Sequence, residues 1–276
     1  MGNPLLVQPG HKVKLERYDP AATRGVPNRD KAQADTDRYT LRIGERQDAL
    51  YANGQRSLLV VLQGLDGSGK DGTVRRVFDH VNPTGVTVTS FKAPTALEQR
   101  HDFLWRCHYA APPRGIIGVF NRSYYEEVLV VRVHADRLLP ARLRGRKGVW
   151  KDRFALINDL EHLLDLNGTT VLKFFLHLSR EEQRQRFIAR QKDPTKHWKL
   201  SGQDFVERQF WDDYQGAYEQ ALEHTSTAQA PWYVIPADHK WVRNYWISRI
   251  VCQTLEGMDL PAPAVEDPTL LTRRFR

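Results

Sequence analysis

Gly64, Gly69 and Lys70, in the stretch LQGLDGSGKDGT (62–73), have the G-x-x-x-x-G-K spacing of a phosphate-binding loop. Glycines there let the backbone turn its N–H groups inward. Lys70 supplies a full positive charge, and the N-terminus of the following helix adds about half of one. The predicted chemistry is binding and transfer of phosphoryl groups. Two residues depart from the usual pattern. Asp71 stands where a Ser or Thr hydroxyl normally holds Mg²⁺, and Asp66 puts a carboxylate inside an anion cradle. Two like charges ~4 Å apart repel by about 1 kcal/mol in water and several times more at lower effective dielectric. Asp66 is therefore expected to work through a bound Mg²⁺. For Asp71 the plainer reading, a first-turn residue favoured by the helix dipole, is preferred. The bland alternative for the whole loop is a turn that merely joins a strand to a helix; Lys70 and the strand-helix context argue against it.

The elements that must position this loop show in the hydropathy pattern. Apolar runs recur at SLLVVLQ (57–63), VTVTSF (86–91), GIIGVF (115–120), TVLKFFLHL (170–178) and WYVIP (232–236), each followed by a helix-compatible stretch. Five strands alternating with helices predict an α/β fold with a parallel sheet covered on both faces. Ligands in such folds gather beyond the carboxyl ends of the strands. Polar and basic residues dominate those exits, among them Lys92, Asn121, Arg122 and Lys240. Residues 1 to about 35 read as an extended arm lying on the core or on a partner subunit. A helix is expected over 36–54, with Leu41, Ile43, Leu50 and Tyr51 on its apolar side, ending at Asn53-Gly54.

Other candidates lie at these exits. In GVFNRSYYEEVLVVRV (118–133), Asn121 occupies a strand end where many phosphoryl-transfer folds carry an acid. Its amide can ligate Mg²⁺ without adding charge, and Glu126 or Glu127 can restore the missing negative charge. Arg122 can fork two hydrogen bonds to phosphate. In SREEQRQRFIARQKDPTKHWKLSGQD (179–204), Ser179 is an N-cap with two glutamates behind it, and Arg186 and Arg190 share a helix face. With Lys192, Lys196 and Lys199 they form a plausible clamp on a phosphate chain; a solvated basic face is the alternative. A second basic run, RLRGRKGVWKDR (142–153), is either a polyanion track or a hydrated loop. Lys92 and Arg106 are further basic candidates. His101, His108 and His177 have no metal-ligand spacing.

The composition sets the frame. A chain of 276 residues with 41% apolar content can bury a substantial core, and a net charge of +8 with pI near 9.5 suits polyanionic partners. Cys107 and Cys252 are too few and too far apart for a disulfide framework, and no apolar run approaches 18 residues, so a reduced cytoplasmic protein without membrane or signal segment is expected.

Taken in order, GLDGSGKDGT, SFKAPT, HDFLWR, GVFNRSYYEEVL, DPTKHWKLS and APWYVIPADHKW resemble the family-2 polyphosphate kinases, from roughly Lys12 to Gly257. The resemblance implies a P-loop kinase-like three-layer fold with a five-stranded parallel sheet, helices on both faces and a mobile lid over about 186–204. The chain would then be one domain: arm and helix to residue 54, core over 55–257, and a tail over 258–276. It also implies transfer of a phosphoryl group between inorganic polyphosphate and a nucleotide, with Mg²⁺ or alternatively Mn²⁺, usually in a homo-oligomer. Asn121 in FNRS and Glu126 in YEE are similar to the subgroup that phosphorylates both AMP and ADP, with ATP as a product and guanine nucleotides as further options. Asp66, Asn121 and Glu126 would surround metal and reacting phosphates, and Lys70 and Arg122 would neutralise charge. Gly67, Ser68, Gly69, Asp71, Gly72 and Thr73 would complete the loop. Lys92, Arg106, Arg186, Arg190, Lys196 and Lys199 would bind phosphate or nucleotide. An ATP-dependent nucleoside or nucleotide kinase is the nearest enzymatic alternative. A non-enzymatic polyanion or nucleic-acid binding module is less well served, because the basic residues collect at strand exits instead of alternating with stacking aromatics.

Overall fold

The run SLLVVLQ forms a strand, Ser57–Gln63 (β1), in which every residue is buried, as befits a strand covered on both faces. In the computed structural model, which describes residues 4–265 and 267–274, it is the centre of a five-stranded sheet. Residues 1–3 of the expected arm and residues 266, 275 and 276 of the expected tail lie outside this description. The other strands are Val86–Ser90 (β2), Ile117–Asn121 (β3), Thr169–His177 (β4) and Trp232–Pro236 (β5). All are parallel, in the order β2-β3-β1-β4-β5. The helices, in chain order, are Arg29–Asn53 (α1), Lys70–Val77 (α2), Trp105–Tyr109 (α3), Val130–Val133 (α4), Ala135–Leu138 (α5), Val149–Leu166 (α6), Arg180–Lys192 (α7), Gly202–Glu207 (α8), Trp211–Thr225 (α9) and Lys240–Gly257 (α10).

Alternation along β1 splits the core into two layers. Leu58, Val60 and Leu62 pack with α1, α2 and α10, whereas Leu59 and Val61 pack with α6, α9 and the arm. The arm lies on the core: Leu6 pairs antiparallel with Tyr233, and Val7 N–H donates to the Trp232 carbonyl at 2.9 Å, so the β5 edge is covered.

The first helix departs from expectation at its start and in its buried face. It begins at Arg29, where the Asn28 side chain accepts from the Lys31 N–H at 3.0 Å, an N-cap that an apolar-period search passes over. Its buried stripe is mostly small or polar: Ala32, Thr36, Thr40, Ile43, Gly44, Gln47 and Leu50. Small residues let α1 sit close against its neighbours; a Cβ at Gly44 would strike the His80 carbonyl. Leu41 and Tyr51 face solvent, at 52% and 55% exposure, and do not belong to that stripe.

One buried ionic cluster holds the α6 layer to the sheet. Lys173, in the middle of β4, donates to Glu161 Oε2 (2.5 Å), the Tyr125 hydroxyl (2.9 Å) and the Thr225 carbonyl (2.6 Å). Glu161 Oε1 also accepts from Tyr124 and Tyr125, each at 2.8 Å. These bonds anchor the 3₁₀ turn Tyr124–Glu127, which carries Glu126 at the mouth of the sheet.

Candidate active site

The loop after β1 owes its shape to what lies behind it. Every carbonyl from Gly64 to Gly69 accepts a hydrogen bond. Lys70 Nζ donates to Gly64 O (2.6 Å) and more weakly to Leu65 O (3.4 Å), and Gln183 Nε2 donates to Asp66 O (2.7 Å). Arg186 Nη1 reaches Gly67 O (2.8 Å) and Ser68 O (3.1 Å), Arg243 Nη1 also reaches Ser68 O (3.1 Å), and the Thr73 N–H reaches Gly69 O (3.0 Å). With its carbonyl acceptors engaged within the protein, the loop and the start of α2 line the cleft with backbone amides left to serve an anion. Gly67 and Gly69 have φ of 88° and 97°, a region that disfavours side chains, and a Cβ at Gly69 would overlap the Arg243 guanidinium.

Facing this loop, β3 ends at Asn121, in register with Leu62. Arg122 follows with φ 68°, the one non-glycine residue at positive φ among those described, held by its N–H on the Leu62 carbonyl at 3.1 Å. Such strain in a long side chain persists where the surroundings enforce it, and it gathers at functional sites. Arg122 Nη2 donates to Asp66 Oδ1 at 2.5 Å, and Nη1 lies 3.7 Å from Glu126 Oε2. Asn121 Nδ2 donates to Asp71 Oδ1 (2.8 Å), and Lys199 reaches the other Asp71 oxygen (3.0 Å). Asp71 is thus in the first turn of α2, as expected, and also ties β3 to the 194–199 segment.

The charges tune one another. Burial pushes the Asp66 carboxyl up, but Lys70, Arg122 and the Arg122 hydrogen bond outweigh it and hold the group below the usual carboxylate range. Burial, with Arg122 alongside, brings the Lys70 ammonium down to about 8 against the pull of Asp66, Glu126 and Asp71. Burial raises Glu126 despite Arg122 and Lys70. For Arg122, Glu126 and Asp66 more than offset burial, so its guanidinium stays charged at any working pH.

The cleft has a volume of about 940 Å³, and its walls bring together Asp66, Gly67, Gly69, Lys70, Asp71, Gly72, Lys92, Asn121, Arg122, Glu126, Arg190 and Lys199 of the expected set. Five expected residues stand elsewhere. Arg186 braces the loop carbonyls from behind. Arg106 is buried beneath the Lys92 carbonyl, to which it donates at 2.8 Å. Thr73 bonds back to Gly69 O (3.2 Å), Lys196 pairs with Asp193, and the buried Ser68 hydroxyl has no hydrogen-bond partner among the described residues. Sequence reasoning missed Gln183, Arg208, Tyr214, Tyr218, and Asp204 and Glu207 of α8, which line the cleft, and Arg243, which backs the loop. Of these, Gln183 and Asp204 lie within the flagged stretch 179–204, and Glu207 and Arg208 lie just past it; Tyr214, Tyr218 and Arg243 carry no local signal. Trp198, 78% exposed, also lines the cleft, while Trp232 is buried core.

Oxygen donors for a hard cation are present without a closed cage. Asp66 and Glu126 present carboxylates, and the Asn121 amide nitrogen serves Asp71, leaving its oxygen without a hydrogen bond among the described residues. Among the described residues no three His, Cys, Asp or Glu cluster as a metal site. This donor set fits Mg²⁺, which binds through one or two carboxylates and takes its remaining ligands from water and substrate phosphates.

A parallel sheet with a phosphate loop on its central strand, faced by an arginine and carboxylates, defines a P-loop kinase-like phosphotransferase. Comparison with known proteins narrows the class. The family model described as polyphosphate kinase 2 matches residues 27–263. The AMP/ADP-polyphosphate phosphotransferase of Meiothermus ruber is 46% identical over 261 residues, 94% of this chain and 95% of that protein. The ADP-polyphosphate phosphotransferase of Rhodopseudomonas palustris is 47% identical over 226 residues, 80% and 78% of the two chains. The crystal structure of polyphosphate kinase 2 from Arthrobacter aurescens TC1 superposes with a TM-score of 0.90 at 39% identity, covering 97% of this chain and 93% of that one. The chain belongs to the polyphosphate kinase 2 family.

Proposed function

We propose that the protein transfers the terminal phosphoryl group of inorganic polyphosphate to AMP and ADP, reversibly. The observation that carries this reading is the cleft floor, where Lys70 and Arg122 sit beside Asp66 on a loop whose carbonyls are all engaged in hydrogen bonds within the protein. The terminal phosphate of AMP or ADP, with a last pKa of about 6, is largely deprotonated at neutral pH, so the acceptor needs no strong base. An acceptor oxygen bonds to the terminal phosphorus of the chain, the bridging P–O bond breaks, and the donor leaves one unit shorter. Asp66 suits a positioning role: a carboxylate held low by Lys70 and Arg122 is a poor proton acceptor. Lys70, Arg122 and the α2 N-terminus stabilise the charge on the transferring group, each charged hydrogen bond contributing about 1.5 to 3 kcal/mol.

Mg²⁺, or alternatively Mn²⁺, would be held by Asp66, Glu126 and the Asn121 amide oxygen, and would supply further charge neutralisation between carboxylates and phosphates. In our reading the stretch over about 186–204 is a lid whose Arg190 and Lys199 close on the substrates, the domain is single, and the protein works in the cytoplasm as a homo-oligomer. No helix among the described residues is long and apolar enough to cross a membrane. A relative in Pseudomonas aeruginosa, 35% identical, is named a GDP-polyphosphate phosphotransferase, so guanine nucleotides belong in the acceptor panel.

The test supplies polyphosphate or ATP as sole donor to AMP, ADP, GMP and GDP. We expect transfer from polyphosphate to both adenine nucleotides. Transfer from ATP alone would replace this reading with an ATP-dependent nucleotide kinase.

A further inference from the structure

The segment Asp136–Asp152 takes no part in the transfer chemistry. It nevertheless carries six cations, Arg137, Arg142, Arg144, Arg146, Lys147 and Lys151, against the carboxylates of Asp136 and Asp152. That is a net +4 out of the chain's +8. Its first residues form a wall between two hollows. Arg137 and Leu138 line the cleft, while Leu139, Arg144 and Arg146 line a second hollow of about 310 Å³. Arg144 fastens the loop to this rim, donating Nε to Leu139 O (2.9 Å) and Nη2 to Arg137 O (3.0 Å). Arg146 pairs with Asp152 at 2.9 Å.

The remaining three cations are different. Arg142, Lys147 and Lys151 are exposed and make no hydrogen bond or ion pair among the described residues. Left-handed Gly145 and Gly148 (φ 73° and 82°) turn the chain on either side of Arg146 and Lys147, and no atom lies within 4 Å of where a Cβ would stand at either. The turn therefore projects into solvent, and with Arg146 paired to Asp152 the charges left uncompensated are those of Arg142, Lys147 and Lys151, the footprint of a surface that concentrates anions. Bases would need stacking partners. The aromatic residue within the segment, Trp150, is only partly exposed, and its ring is approached by the Arg132 and Arg153 guanidinium groups. A polyanion without bases fits this surface better than a nucleic acid does.

Resting on the function proposed above, we infer that Arg142, Lys147 and Lys151 form an outer track for the part of a long polyphosphate chain that runs out of the cleft past Arg137. The track acts only on units remote from the reacting phosphorus. It strengthens the hold on long donors and does nothing for donors short enough to fit inside the cleft.

The test compares wild type with the triple variant Arg142→Gln, Lys147→Gln, Lys151→Gln, whose sites are all exposed. Binding of long-chain polyphosphate, of tripolyphosphate and of a single-stranded oligonucleotide is measured at low salt, with turnover in parallel. We expect long-chain binding to weaken about tenfold, by the sum of three exposed charge contacts, with a shallower salt dependence. Tripolyphosphate binding should stay unchanged. The track is refuted if long-chain binding is unchanged, if long and short donors weaken alike, or if the oligonucleotide binds wild type more tightly than polyphosphate does. Absence of turnover from any polyphosphate would refute the proposed activity instead, and the binding comparison would still decide the track.

Discussion

Two clusters of charge adjoin the turn after β3, one buried in the core and one partly buried in the cleft wall, and they differ in completeness. In the core cluster, Lys173 and Glu161 are 0% and 1% exposed, and their polar atoms are met by Tyr124, Tyr125 and Thr225 at hydrogen-bond distance. In the cleft cluster, Lys70 reaches only backbone carbonyls, and Asp66 shares Arg122 with Glu126 at 38% exposure. The Ser68 hydroxyl and the Gln63 amide oxygen nearby have no hydrogen-bond partner among the described residues. Burial of charge alone therefore marks nothing. An incompletely paired set beside an open cavity marks a place that a charged ligand completes.

Substitutions should separate the two clusters. Lys70→Ala should lower turnover by about 10² to 10³ or more, on the scale of losing a donor aimed at developing charge, with an unchanged unfolding midpoint. A large loss of stability in that variant would erase the distinction. Lys173→Met should do the reverse, costing about 3 to 5 kcal/mol in denaturant unfolding because Glu161 is left buried and unpaired, while the folded fraction keeps near-normal turnover. Adding Glu161→Leu should recover part of that loss. Arg243→Met probes the layer behind the loop: it should raise the KM for the phosphate donor about tenfold, by removing a charge-assisted bond to Ser68 O, with a smaller change in kcat. An unchanged KM would show that Arg186 alone holds that carbonyl.

The smallest effect is one of pH. Lys70 titrates near 8 in the free enzyme, below the ordinary lysine value because of burial and Arg122. Its charge is present below that pH and is lost as pH rises through it. Then kcat/KM, which reports the free enzyme, should fall tenfold per unit above about 8. Bound polyanion raises the pKa, so kcat should hold to higher pH. A kcat/KM that stays flat into the range of an ordinary lysine would contradict the assignment.

Much of the fold could be read from the sequence because parallel strands buried on both faces leave continuous apolar runs; β1 and β5 fall at the expected residues. Ser179 caps α7 as expected, accepting from the Glu182 N–H at 3.1 Å. Helix α1 was legible only at its end, since its packing face is built from Ala, Thr, Gly and Gln, which carry little hydrophobic period. Within the site, the loop and the β3 exit announce themselves through local spacing. The residues that shape the loop do not: Gln183 and Arg186 come from α7 and Arg243 from α10, and only the packing of those helices against β1 brings them together. Arg106 illustrates the converse, a basic candidate whose guanidinium packs on the Phe91 ring and bonds to backbone. Charge was visible in the sequence; its direction was not.

The central claim is that the cleft cluster serves phosphoryl transfer and not the fold. Product formation from polyphosphate with AMP and with ADP, measured for wild type and Asp66→Asn alongside their unfolding midpoints, tests it most directly. The account predicts product from wild type, almost none from the variant, and matching midpoints. A variant that transfers phosphate at near the wild-type rate, or one that is inactive only because it has unfolded, would contradict it.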